Sequence, residues 1–179
     1  MKKKILWITE TAVMLALLVT MQTLTKPMGQ LVTGSCVNAI LAVSVLVGGL
    51  ASGLTIALVS PVLAFLLGIA PQILTVPAIM LGNTVFVVLL HTLVADRKPV
   101  LKIAGWLIAA VCKFAVLYAT VVWLVCGVLA QRLLESGMLK EPMLKALPAT
   151  FAWPQLVTAL IGGSVALLIV PALRKALKK

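Results

Sequence analysis

Lys113 is the residue of this chain best suited to binding chemistry, because it lies inside an apolar stretch that otherwise predicts a membrane-spanning helix. An ionised side chain at that depth costs at least a few kcal/mol of free energy unless a partner compensates it. Snorkelling to the membrane surface is difficult from the middle of a helix. Two partners therefore stay open for Lys113: a cage of carbonyl oxygens, or an anionic ligand that carries a carboxylate or a phosphate.

The rest of the sequence offers little catalytic chemistry. It contains no GxxxxGK[ST] phosphate loop, no HExxH and no GxSxG turn. Its three cysteines have no CxxC spacing and it has one histidine, which argues against a zinc site or a disulfide framework. We therefore expect no catalytic residues, no metal and no enzyme. None of the carboxylates lies deep enough for a proton relay, so the chain alone should not energise transport; they are Glu10, Asp96, Glu135 and Glu141.

Composition places these residues in a membrane protein. Hydrophobic residues make up 63% of the 179 residues and charged residues only 11%, far from the balance of a soluble domain. Between Pro27 and Ala95 there is no Asp, Glu, Lys or Arg, a length that holds three spans of about 20 residues each. The sequence predicts an all-α integral membrane protein.

Turn residues and charges divide the chain into six predicted transmembrane helices. Gly48 and Gly49 separate the second helix from the third, and Pro71 follows the third. A more polar segment, 131–150, precedes the last helix. We expect one compact six-helix bundle that occupies residues 1–179 as a single domain. The predicted helices cover about 5–24, 35–47, a stretch from Gly53 to Gly68, 76–94, 101–128, and a last helix that starts near Pro154.

Basic residues predict how the chain is oriented. Lys and Arg collect at the cytoplasmic ends of spans, and six spans with both termini inside place most of them there. Those residues are Lys2, Lys3, Lys4, Arg97, Lys98, Lys102, Arg174, Lys175, Lys178 and Lys179, against Lys26, Arg132, Lys140 and Lys145 outside. The net charge of +11 then faces an anionic leaflet, so no nucleic-acid partner is expected. The first apolar stretch lacks a convincing small-residue cleavage site, so we expect it to remain as helix 1.

Small residues recur at four-residue spacing on helix 1. Ala12 and Ala16, continued by Thr20, line one face and would let another helix approach closely. Taken alone, this spacing favours packing inside the bundle over docking of a partner.

The whole pattern resembles a known family, the substrate-binding S components of energy-coupling factor (ECF) vitamin transporters. The resemblance covers essentially the whole chain: its length, six spans, basic ends, the segment TETAVMLALLVTMQTL and the last helix FAWPQLVTALIGGSVALLIVPALRKALKK. It implies that Ala12 and Ala16 dock a transmembrane T component. It also implies two cytoplasmic ATPase subunits that use ATP, no cofactor in this chain, and capture of a vitamin or related micronutrient outside a prokaryotic plasma membrane.

The family places its ligand in the outer half of the bundle, and several polar residues fall in or near that region on the predicted topology. Trp106, Lys113 and Thr120 share one face of helix 5 at seven-residue spacing. The residues expected to contact substrate are Lys113, Asn83, Gln155, Trp153, Gln22, Asn38 and Thr120.

Alternative roles stay open for several of these residues. Asn38 and Asn83 either contact the ligand or form hydrogen bonds between helices, a use worth about 1 kcal/mol. Trp153 suits an interfacial belt as well as a pocket, and Gln22 either caps the pocket or belongs to a solvated loop. An alternative function is also open: a self-contained small-solute carrier or channel, in which Lys113 would line an anion path.

Overall fold

The computed structural model describes residues 2–70 and 72–177, without the side chains of Lys2 and Lys3. The predicted break at Pro71 and the basic residues Lys178 and Lys179 lie outside the described residues, as do those two side chains. The described chain is 87% helix and contains no strand. The eight α-helices are α1 Lys2–Thr25, α2 Gln30–Gly48, α3 Leu50–Leu66, α4 Thr75–Leu93, α5 Pro99–Leu117, α6 Ala130–Glu135, α7 Glu141–Phe151 and α8 Trp153–Ala176.

Five helical segments of the described chain are long and apolar enough to cross a membrane. They are Lys4–Met28, Gln30–Gly48, Thr75–Leu93, Pro99–Val128 and Glu141–Ala176. Helix α3 is apolar but shorter, with 17 residues. Large hydrophobic side chains cover the outside of the bundle, among them Leu168 and Trp123, which are 80% and 63% exposed. A surface of this kind fits a multi-pass membrane protein.

Glycines set two of the helix boundaries. Gly29 and Gly49 have φ angles of 88° and 86°, a region that side-chain-bearing residues rarely adopt. Gly29 follows a 3₁₀ turn, Lys26–Met28, and α2 begins directly after it at Gln30. The predicted start of helix 2 at residue 35 is therefore wrong by five residues. The start was missed because Gln30, Thr33, Gly34 and Ser35 make the beginning of α2 less apolar than the rest of the helix, so that it resembles a loop in sequence.

Two further differences concern the second half of the chain. The segment 131–150, predicted as a connection, contains most of α6 and most of α7. The two helices are separated near Gly137, which has a φ angle of 71°. The predicted fifth helix is continuous, but Tyr118–Val128 is π-helical rather than α-helical. Because π-helical turns contain more residues, side chains after Tyr118 rotate away from the face that α5 presents.

Helix α2 lies at the centre of the bundle. Its residues from Ile40 to Leu46 are buried, and it packs against α1, α3, α4 and α8. The main core also contains Leu18 of α1, Phe86 of α4 and Ala159 of α8. A second hydrophobic cluster joins the end of α5 and the π-helical segment to α7, and its buried members are Ala78, Leu117, Val121, Leu139, Leu147 and Phe151.

Contacts between helix ends fall into two groups. At one end, Arg174 of α8 donates to the carbonyl oxygen of Leu46 in α2 at 3.2 and 2.7 Å. It also donates to the carboxylate of Asp96 after α4 at 2.9 Å. At the other end, the Lys26 amino group after α1 donates to the carbonyl oxygen of Gly68 after α3 at 2.6 Å. Consecutive long helices therefore run in opposite directions.

The Arg174–Asp96 pair should make stability depend on pH in acid. The hydrogen bond from Arg174, with its charge, holds the pKa of the Asp96 carboxyl below its usual 3.8. A lowered folded-state pKa contributes stability that is present above pH 3.8 and is lost as pH falls through the folded value. We expect the unfolding temperature of Asp96→Asn to lie slightly below that of the parent at neutral pH, because the carboxylate is exposed.

In a series of thermal melts, that difference should shrink as the pH falls below 3.8 and disappear once Asp96 is protonated in the folded protein. Arg174→Gln is the companion variant. It should be more destabilising at every pH, because it also removes the donors to Leu46. A difference between parent and Asp96→Asn that grew with acidity would contradict the assignment.

Candidate functional site

The site is built around the buried amino group of Lys113, whose side chain is 3% exposed. Its Nζ donates hydrogen bonds to Oδ1 of Asn38 at 2.5 Å and to Oδ1 of Asn83 at 2.7 Å. It also lies over the ring of Phe86, 5.2 Å from the ring centroid, within the range of a cation–π interaction. Three helices, α2, α4 and α5, thus meet at one cation.

The polar network continues from Asn38 to α8. Nδ2 of Asn38 donates to Oγ1 of Thr158 at 3.2 Å, and the Thr158 hydroxyl donates to the carbonyl oxygen of Gln155 at 3.1 Å. Nε2 of Gln155 in turn donates to the carbonyl oxygen of Thr150 in α7 at 3.1 Å. The side chains of Asn38, Thr158 and Gln155 each have a hydrogen-bond partner along this path from Lys113 to α7.

A cavity of about 120 Å³ lies against this network. Its walls come from α1, α2, α3, α4, α5, α7 and α8, together with the connection between α3 and α4. Asn38 and Asn83 each lie about two turns from the start of their helices, so the polar group is recessed by roughly 12 Å from that end. The lining residues are Gln22, Gln30, Thr33, Gly34, Val37, Asn38, Ser60, Pro61, Ala64, Ile69, Ala70, Ile79, Asn83, Lys113, Leu117, Thr150, Phe151 and Gln155.

Two polar atoms on this cavity have no hydrogen-bond partner among the described residues. They are Nδ2 of Asn83 and Oε1 of Gln22, and both atoms are buried. An unpaired buried polar group costs about 1–3 kcal/mol, so it needs a reason. Both atoms belong to residues that line the cavity. Three other buried side-chain atoms of the described chain lack a partner and belong to residues away from this cavity: Oγ1 of Thr84, Nδ1 of His91 and Nε1 of Trp106.

The structure brings five of the seven predicted substrate residues to the cavity: Lys113, Asn38, Asn83, Gln155 and Gln22. Of the two roles left open for Asn38 and Asn83, hydrogen bonding between helices is observed for both. Trp153 begins α8 with 61% of its surface exposed and does not line the cavity. Thr120 lies in the π-helical segment, where its hydroxyl donates to the Val116 carbonyl oxygen at 2.7 Å, and it does not line the cavity either.

The small residues of α1 lie outside the bundle. Ala12, Ala16 and Thr20 are exposed, whereas Thr11 and Leu18 on the opposite side of the helix are buried. The four-residue spacing therefore does not mark packing within the described chain. It marks a strip of low side-chain volume on an apolar surface.

Sequence reasoning missed Thr158, which links Asn38 to Gln155, and Phe86, which lies under the amino group of Lys113. A signal existed for both. Thr158 follows Gln155 by three residues and Phe86 follows Asn83 by three, a spacing that places each on the same helix face as a predicted site residue. No group of three or more His, Cys, Asp or Glu side chains that could hold a metal ion occurs among the described residues.

Comparison of the chain with protein-family models, with curated proteins and with solved structures gave no match.

Proposed function

We propose that this protein is the substrate-capture subunit of an ECF-type transporter in a prokaryotic plasma membrane. It would bind a vitamin or related micronutrient from outside and deliver it with a transmembrane T component and two cytoplasmic ATPase subunits. One observation carries the proposal: a recessed cavity inside an apolar bundle, lined by the buried Lys113 and by Gln22 and Asn83, each of which has an unpaired polar atom. Few convergent polar groups in a mostly apolar pocket are typical of small-molecule sites.

The arrangement of helix ends supports six spans with both termini in the cytoplasm. The long helices alternate in direction, and α3, at about 25 Å, approaches the thickness of a bilayer's hydrocarbon core. The end that contains Arg174 then carries most of the basic residues, as expected for the cytoplasmic side. The cavity lies toward the opposite end, where an extracellular solute would enter.

Purification of the full chain in detergent, followed by native mass spectrometry, tests the proposal. A capture subunit should retain a small molecule at one per chain, yet fail to move it across liposomes that contain this protein alone. An empty chain that conducts anions in liposomes would instead support a self-contained carrier or channel, and would overturn the proposal.

The exposed strip on α1 gives a separate test. Replacing Ala12 and Ala16 together by leucine should prevent co-purification with a T component, because bulky side chains keep the partner helix at a distance. Retention of the small molecule should be unchanged, since neither residue lines the cavity.

Ala104→Leu is the matched control, because Ala104 is also an exposed alanine but belongs to α5. This variant should assemble like the parent. If the Ala12 and Ala16 variant also assembled normally, the strip on α1 would not be the docking surface.

A further inference from the structure

We infer that the captured solute carries a single carboxylate, which binds across the amino group of Lys113 and the side-chain amide of Asn83. This inference rests on the proposed function, since it assumes that the cavity holds a solute. It follows from counting the hydrogen-bond donors that the described structure leaves without acceptors.

Lys113 has one N–H donor for which the described residues provide no hydrogen-bond acceptor. A lysine ammonium group has three N–H donors and no acceptor, and two of the three go to Asn38 and Asn83. The same fact fixes the orientation of the Asn83 amide. Because Lys113 can only donate, the Asn83 oxygen must face it, and the amide nitrogen must point elsewhere.

That amide nitrogen supplies the remaining donors. Asn83 is 1% exposed, lines the cavity, and its Nδ2 has no partner among the described residues. The unpaired Nδ2 of Asn83 and the amino group of Lys113 belong to side chains joined by a 2.7 Å hydrogen bond, and both residues line the cavity, so one ligand group can meet the donors of both. A carboxylate has two oxygens and about four acceptor positions, whereas a neutral amide or alcohol offers one acceptor oxygen and brings donors of its own.

The charge of the cavity lining favours a solute with a single negative charge. Lys113 is the sole ionisable side chain among the described residues that line the cavity. A buried cation in a medium of low dielectric constant is stabilised by one opposite charge. A phosphate monoester carries between −1.5 and −2 at pH 7 and would leave buried negative charge without a partner. The starts of α2, α4 and α8 lie at the same end of the bundle, and helix N-termini also favour an anion.

The opposite end of the solute should carry a hydrogen-bond donor or lie against apolar surface. Oε1 of Gln22 is buried without a partner on the α1 side of the cavity and would accept from an N–H or O–H group. Between the two polar positions the wall is apolar, with Ile79, Leu117 and Phe151 among its residues. A small organic acid with an apolar middle matches this lining.

Three probes that share one ring separate the possible head groups: benzoate, benzamide and phenyl phosphate. Each is added at equal concentration to the full-length chain in detergent, and the unfolding temperature is measured. Benzoate should raise it, and the other two should raise it less or not at all. Equal or stronger stabilisation by benzamide or phenyl phosphate would overturn the inference, and so would no effect from any of the three.

Asn83→Asp tests the same pairing from the protein side. The new carboxylate would neutralise Lys113 and repel an anionic probe, so benzoate should bind at least about tenfold more weakly. In the Asn83→Asp variant, benzamide should stabilise the fold more strongly relative to benzoate than it does in the parent. Lys145→Met is the control, because it removes an exposed cation from α7 and should leave the order of the three probes unchanged. Should Asn83→Asp fail to fold, the probe series on the parent decides alone.

The outcomes separate this inference from the function on which it rests. A retained molecule that proves to be neutral, cationic or a phosphate ester would overturn the carboxylate and leave capture intact. An empty chain that moves anions in liposomes would overturn capture itself. A retained monocarboxylate, bound more weakly by Asn83→Asp, would support both.

Discussion

Lys113→Met is expected to lose the retained solute, because the substitution should weaken binding by a factor of about 30 or more. Removing one partner of a buried charge pair costs about 2–5 kcal/mol, and about 1.4 kcal/mol corresponds to a factor of ten. Methionine keeps the length and the apolar stem of lysine but cannot donate. The measurement is the amount of solute retained per chain by native mass spectrometry, for parent and variant purified in parallel.

Fold stability should change less than binding. The variant leaves the side-chain oxygens of Asn38 and Asn83 without a donor, but it also removes the cost of burying a cation. Lys145→Met, at an exposed position of α7, is the matched control and should retain solute like the parent. If a correctly inserted Lys113→Met protein retained the solute at the parental level, Lys113 would contribute to helix packing and would not bind the ligand.

The sequence predicts that Lys113 needs a partner. It does not predict which residues provide one. A charge inside an apolar span is visible in the sequence because its cost depends on local composition alone. Asn38 lies 75 residues away along the chain, and Asn83 lies 30 away. Whether either reaches the amino group depends on which helices are neighbours and how they are rotated, and apolar helices of similar composition do not specify this.

Breaks between helices were predictable where a glycine or a run of charged residues causes them. Changes of helix type within an apolar stretch were not predictable. The turn at Gly49 and the charged connection after α4 were both expected, since glycine and a run of charges interrupt apolar helices locally. The π-helical segment, Tyr118–Val128, contains no proline and one glycine, and its sequence resembles any apolar span. Thr120 lies in this segment and does not line the cavity, although the seven-residue spacing places it on the same helix face as Lys113.

The short helices after the π-helical segment were missed for a related reason. Polar residues between 131 and 150 suggested a connection. In the structure, α7 buries Leu147 and Phe151 against the second hydrophobic cluster, and Thr150 at its end accepts the hydrogen bond from Gln155. Half-apolar helices of this length are stabilised by the surface on which they pack, so the cavity wall that α7 provides appears only in the folded bundle.

Gly162→Ala is expected to destabilise the fold by about 1–3 kcal/mol, the usual cost of inserting a methyl group into closely packed structure. A Cβ atom built at Gly162 would lie 2.6 Å from the Ala39 nitrogen, the Ser35 oxygen and the Asn38 Cβ. Two of these are backbone atoms, which cannot rotate away, so α2 and α8 would have to separate. Separation would also stretch the Asn38–Thr158 hydrogen bond, and the variant should therefore lose solute as well as stability.

Gly127→Ala is the matched control for this close approach. The nearest atom that its Cβ would meet is the Val122 oxygen at 3.7 Å, an ordinary contact. Replacing glycine by alanine in an α-helix interior contributes up to about 1 kcal/mol of stability when space allows. Gly127 is the second-last residue of the π-helical segment, where a smaller gain is expected, so this variant should unfold at or slightly above the parental temperature. Gly162→Ala also gains helix propensity. An unfolding temperature of Gly162→Ala below that of the parent would therefore mean that the steric cost exceeds this gain. Equal unfolding temperatures for the two variants would show that α2 and α8 are further apart in the membrane than this packing requires.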